Sequence, residues 1–63
     1  MIVNLYDKQK DYYIISYDNV TACSVNVINT EIGIYNMVFA DGLRQSKEYD
    51  ATRYSIVLTE KEQ

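Results

Sequence analysis

The chain is predicted to be all-β, a small antiparallel meander or SH3-like barrel of five to six strands, and three observations support this. Val, Ile, Thr, Tyr and Phe dominate and alternate in twos rather than recurring at three and four. Turn signals punctuate the chain at short intervals, at Asp7-Lys8-Gln9-Lys10, Asp18-Asn19, Asn29-Thr30 and Asp41-Gly42. Length is the third: 63 residues make one domain, 1–63, with a frayed tail expected at 60–63.

The strands follow from those signals in order. Ile2–Tyr6 and Tyr12–Tyr17 flank the first turn. Val20–Ile28 and Glu31–Ala40 flank Asn29-Thr30, and Leu43–Glu48 follows Asp41-Gly42. Asp-Gly between apolar runs suits a type I′ hairpin, because glycine tolerates positive φ. Tyr49–Thr52 reads as a bend or single helical turn before a last strand, Arg53–Thr59. A helix from Asp41 to Tyr54 is the alternative, since Asp41 could cap it, but Leu43, Tyr49, Ala51 and Tyr54 make no stripe along one side.

A register follows from the turns, because a one-residue slip sends every side chain to the other face. Two-residue turns at Asp18-Asn19, Asn29-Thr30 and Asp41-Gly42 set Ile14 opposite Cys23, Val25 opposite Ile34 and Ala40 opposite Leu43. A four-residue first loop sets Leu5 opposite Tyr12 and Val3 opposite Ile14. The expected core is then Val3, Leu5, Tyr12, Ile14, Cys23, Val25, Val27, Ile32, Ile34, Val38, Ala40 and Leu43, with Tyr54, Ile56 and Leu58. The opposite face carries Tyr13, Ile15, Tyr17, Val20, Tyr35, Met37, Phe39 and Arg44. A half-solvated sheet should be polar there, so these eight residues are the expected interface.

A chain this short buries only about 60% of its unfolded surface. Cys23 is the single cysteine and there is no histidine, so neither an intrachain disulfide nor a zinc site of the usual kind can supplement the core. Self-association is the remaining staple, and the domain is expected to be oligomeric.

Catalysis is poorly served. Histidine, the usual acid or base at neutral pH, is absent. Asp7 with Asp11, and Glu48 with Asp50, sit at turns beside Lys8, Lys10 or Arg53 and read as solvated charge. No metal, cofactor or phosphate-cradling motif is found, since Gly33 and Gly42 are isolated. Gly33 within a strand signals a bulge or a close backbone approach. Cys23 reads as a buried structural thiol on a central strand. The chain is therefore not expected to be an enzyme.

Nine acids against six bases give a net charge of −3, and no base falls between Lys10 and Arg44. Nucleic-acid binding, which needs clustered Lys and Arg, is not expected. A protein partner with a basic surface suits the acidic stretch. No apolar run reaches the length of a membrane span or a leader, so a cytoplasmic location is expected. Asn19-Val20-Thr21 is then a chance match to the glycosylation triplet. Abundant Ile, Asn, Tyr and Lys suggest a low-GC genome, bacterial or phage.

Leu5-Tyr6-Asp7 resembles the Leu-Tyr-Asp run of SH3 domains. The resemblance covers three residues and implies a small barrel. The tryptophan and proline that those domains use in their groove are absent here.

The expected function is a non-catalytic, self-associating protein-interaction module. It would be a small accessory or inhibitor protein of a mobile element, phage or plasmid, that blocks a host protein. The alternative is a protein that sequesters a small nucleotide-like ligand between subunits, with tyrosine rings for stacking and Arg44 or Arg53 for an anionic group.

Overall fold

Strand-forming runs broken by Asp and Asn turns fold, in a computed structural model that describes residues 1–60, into six antiparallel strands. They are β1 (Ile2–Asp7), β2 (Tyr12–Tyr17), β3 (Val20–Val27), β4 (Ile32–Phe39), β5 (Arg44–Asp50) and β6 (Tyr54–Thr59). These form two three-stranded sheets, ordered β2-β1-β6 and β3-β4-β5. The segment from Arg44 to Asp50 is therefore strand, not helix, so Tyr49 and Asp50 belong to the strand and not to the expected bend, and no helix among the described residues could cross a membrane. Of the tail expected at 60–63, residues 61–63 lie outside the described residues.

Side-chain oxygens set the turns. Asp7, Asn29, Asp41 and Asp50 each accept the backbone N–H two residues ahead, from Gln9 at 3.0 Å and from Glu31, Leu43 and Thr52 at 2.9 Å. This is the local bonding that makes Asp and Asn turn residues. It also governs loop length. The Ile28 N–H donates to Ile32 O at 2.8 Å, so the β3–β4 loop is Asn29-Thr30-Glu31, one residue longer than expected. The β4–β5 loop is Ala40-Asp41-Gly42, closed by the Phe39 N–H on Leu43 O and the Gly42 N–H on Phe39 O, both at 2.8 Å. Gly42 alone takes positive φ there, +88°. A type I′ turn would need it at Asp41 too, so this is the three-residue hairpin with a left-handed glycine.

Each extra residue flips a face. Val25 lies opposite Tyr35 and Cys23 opposite Met37, in place of the expected Val25–Ile34 pair. Met37 lies opposite Gln45, and Gly33 opposite Tyr49. In the other sheet a bulge between Leu5 and Tyr6 makes Ile14 the extra residue, so Leu5 faces Ile15 and Val3 faces Tyr17. The Asp18-Asn19 turn makes no hairpin. With Asn19 at φ 58°, the chain leaves β2 in one sheet and enters β3 in the other. The Ile14–Cys23 pair is thereby overturned.

The sheets touch where Met1 N donates to Val20 O at 2.7 Å and the Val20 N–H to Met1 O at 3.2 Å. Around that corner Val3, Val20, Tyr35 and Met37 form the interior, with Tyr17, Cys23, Phe39, Tyr49 and Ile56 packed against it. Leu5 is also buried. The expected core thus holds for Val3, Leu5, Cys23 and Ile56. It fails for Tyr12, Ile14, Val25, Val27, Ile32, Ala40, Leu43 and Leu58, which are exposed.

Candidate interaction surface

Of the eight residues expected on the outer face, three are interior. Tyr35 is 3% exposed, Met37 1%, and Val20 is equally buried. Tyr17 and Phe39 are half-buried beside them, their ring centroids 6.3 Å apart. Tyr17 also lies 6.2 Å from Tyr35, and their hydroxyls meet at 3.5 Å. Burial pushes the Tyr35 hydroxyl well above the usual tyrosine range, and the Tyr17 contact adds to this. Only Tyr13 and Ile15 on β2, and Arg44 on β5, lie open to solvent. The expected interface does not exist as one continuous face, because its β4 residues point inward.

What is exposed instead is part of the expected core, at the far end of β3. Val25 shares a side with Tyr35, because the two are cross-strand partners, yet it is 40% exposed. Val27 follows on the same side at 56%, and Ile28 at the turn reaches 65%. The other sheet is hydrogen-bonded to β3 at its start, where Met1 meets Val20, and the core packing on β3 extends to Cys23. On β2 a second apolar set, Tyr12, Tyr13, Ile14 and Ile15, is also exposed, with Tyr13 edge-on to Tyr6 at 5.2 Å.

The four edge strands differ in how they are protected. β5 carries Arg44, Lys47, Glu48 and Asp50, charges of the kind that keep an edge from pairing with other chains. β6 is half-buried over Tyr54–Val57, and β2 is interrupted by its bulge at Ile14. β3 has a bulge only at its start, between Val20 and Ala22. From Ala22 to Val27 its register is regular, and the strand carries no charge. Sequence reasoning placed β3 in the centre of a sheet and so missed it. The signal was present as a run from Val20 to Thr30 without one Lys, Arg, Asp or Glu.

The chain matches no protein-family model, no curated protein and no solved structure.

Two depressions flank these strands. One, of about 420 Å³, is lined by Glu31, Ile32, Glu48, Tyr49, Asp50 and Thr52. Three of these side chains are carboxylates, and among the described residues no group of acids or thiols could hold a metal ion. The other, of about 460 Å³, is lined by Tyr17, Phe39, Leu43 and Gln45 together with Asp18, Asn19, Ala40 and Asp41. Neither arginine expected to hold an anion lines it. Arg53 is committed elsewhere, its Nη2 on Asp7 Oδ2 at 3.1 Å and its guanidinium 5.3 Å from the centre of the Tyr54 ring.

That pair corrects another expectation. Asp7, read as solvated, is 2% exposed. Besides Arg53 it accepts the N–H groups of Gln9 and Lys10, at 3.0 and 3.2 Å. The Arg53 hydrogen bond holds its carboxyl below the usual aspartate range, against the opposing effect of burial. Cys23 is half-buried on an edge strand, and loss of solvent pushes its thiol up, away from the reactive thiolate.

Proposed function

We propose that this protein is a non-catalytic interaction module that associates with itself. One observation carries the reading. Among the described residues five hydrophobic ones are buried (Val3, Leu5, Val20, Tyr35 and Met37), while Met1, Tyr12, Tyr13, Ile14, Ile15, Val25, Val27, Ile28, Ile32, Leu43 and Leu58 are exposed. Scattered surface hydrophobics are ordinary, but a surplus this large over so small a core marks a surface made to be covered. The Met1–Val20 hydrogen bonds favour a barrel of the SH3 kind, since they bring the start of β3 to the start of β1. The cleft of Glu31, Glu48 and Asp50 favours a further, basic protein partner. An accessory role for a mobile element, blocking such a host protein in the cytoplasm, accords with that acidity and with the chain's composition.

Sedimentation velocity from about 10 μM to about 500 μM, the range in which a modest interface is populated, tests the reading. The expected result is a weight-average mass that rises toward at least two chains. A monomer throughout would overturn it.

The second reading, a sequestered nucleotide-like ligand, is favoured by the groove at Tyr17 and Phe39, whose size is that of a small-molecule site. A thermal-shift screen with nucleotides separates the two, because a bound ligand raises the melting temperature with its concentration.

A further inference from the structure

Antiparallel strands alternate between residues that bond their neighbour and residues whose N–H and C=O point away from it. The Ile28 N–H bonds Ile32 O, which fixes the phase for β3. Ala22, Ser24 and Asn26 then exchange bonds with Val38, Asn36 and Ile34, their register partners. Cys23, Val25 and Val27 turn their backbone groups outward, to an edge where no other strand among the described residues pairs.

From this we infer that two copies of the chain join through β3, paired antiparallel about a two-fold axis at Val25. The inference rests on the self-association proposed above and specifies where and in what register it occurs. Val25 pairs with Val25 of the second copy, and Cys23 with Val27. Those are the residues with free backbone groups, so every outward N–H between Cys23 and Val27 finds a carbonyl. The side chains agree with the register. On the side shared with Tyr35 and Met37, valine meets valine and cysteine meets valine. On the opposite side Ser24 meets Asn26, two small polar groups able to bond each other. A two-fold contact needs such self-complementarity.

Charge favours the same edge. Each copy carries net −3, so association requires a contact that sets no acids against each other. β3 carries no charge at all, while β5, at the far edge of the same sheet, carries two bases and two acids that pairing would have to strip of water. The result is one six-stranded sheet, β5-β4-β3-β3-β4-β5. In it the exposed Val25 and Val27 side chains of both copies pack side by side. Strand pairing alone buries less than the roughly 1,600 Å² of a standard interface, so exchange between monomer and dimer is fast.

The test uses two variants and the intact chain. Val25→Pro removes an N–H that bonds nothing among the described residues, so the monomer keeps its far-ultraviolet spectrum and its melting transition. Its sedimentation should show one chain at concentrations where the natural sequence is dimeric. Val27→Cys places a thiol opposite Cys23 of the second copy. Under oxidised glutathione it should cross-link to a covalent dimer at least tenfold faster than the natural sequence, whose two Cys23 thiols lie far apart in this register. Within one strand the two cysteines are four residues apart, about 13 Å, too far to bridge. A natural-sequence dimer that persists in Val25→Pro, or no enhanced cross-linking in Val27→Cys, would overturn the β3 pairing while leaving self-association standing. A natural sequence that is monomeric throughout would overturn both.

Discussion

Gly33 lies opposite Tyr49, and the tyrosine ring lies across the glycine so closely that a methyl group there would overlap it. Aromatic side chains covering cross-strand glycines are a known device for holding register. Gly33→Ala therefore sets two effects against each other. Removing a glycine from a strand is worth about 0.5–1 kcal/mol of stabilisation by itself. The methyl, however, forces the Tyr49 ring off its seat, and that ring packs 5.8 Å from buried Tyr35. A tyrosine buries about 150–250 Å². If the half-buried ring loses about 100 Å² of contact at about 25 cal/mol per Å², the loss is about 2.5 kcal/mol. The net expectation is a destabilisation of about 2 kcal/mol, a fall of about 8–16 °C in a domain this size. Urea and thermal unfolding of Gly33→Ala, Tyr49→Thr and the double variant measure it as a cycle. Once the ring is gone the same Gly33→Ala change should stabilise by about 0.5–1 kcal/mol, so the coupling is about 2.5 kcal/mol. Equal destabilisation in both backgrounds, or a stabilised single variant, would refute the reasoning.

Acid stability should depend on Asp7. Its pKa is lowered by Arg53, so its contribution is complete above the unfolded value of about 3.9 and is lost as pH falls through the lower folded value. Asp7→Asn should therefore flatten the fall of melting temperature below about pH 4, with a residual slope from Asp50, lowered by its bonds from Thr52. An unchanged acid limb would show that the pair contributes nothing. Gly42 sits at φ +88° with open space beside it, so Gly42→Ala carries only a backbone cost of about 1–2 kcal/mol, and Gly42→Asn less. Thermal unfolding in which the alanine variant matches the natural chain would contradict the left-handed turn.

Strand positions and turn positions were legible in the sequence because β-branched and aromatic runs alternate with Asp and Asn. The faces of β4 were not. Whether Asn29 opens a two- or a three-residue loop depends on its side chain bonding Glu31 and Ile32, and Asn-Thr permits either length. β4 has apolar residues on both sides (Ile32, Ile34 and Val38 against Tyr35, Met37 and Phe39), so its pattern could not choose between registers. The bulge at Ile14 was equally hidden, since Tyr12 to Ile15 is apolar at every position. Asp7 and Arg53 lie 46 residues apart in the chain, and only the β1–β6 pairing brings them together. The apolar surplus was visible in the composition, but its location was not.

The account depends on which side of β4 is inside, and methyl-resolved nuclear Overhauser spectroscopy measures that directly. The Met37 ε-methyl should show strong cross-peaks to the methyl groups of Val3 and Val20, while Val27 shows none to any residue of β1, β2 or β6. Cross-peaks from Ile34 or Val38 to Val3, with Met37 facing solvent, would contradict the account.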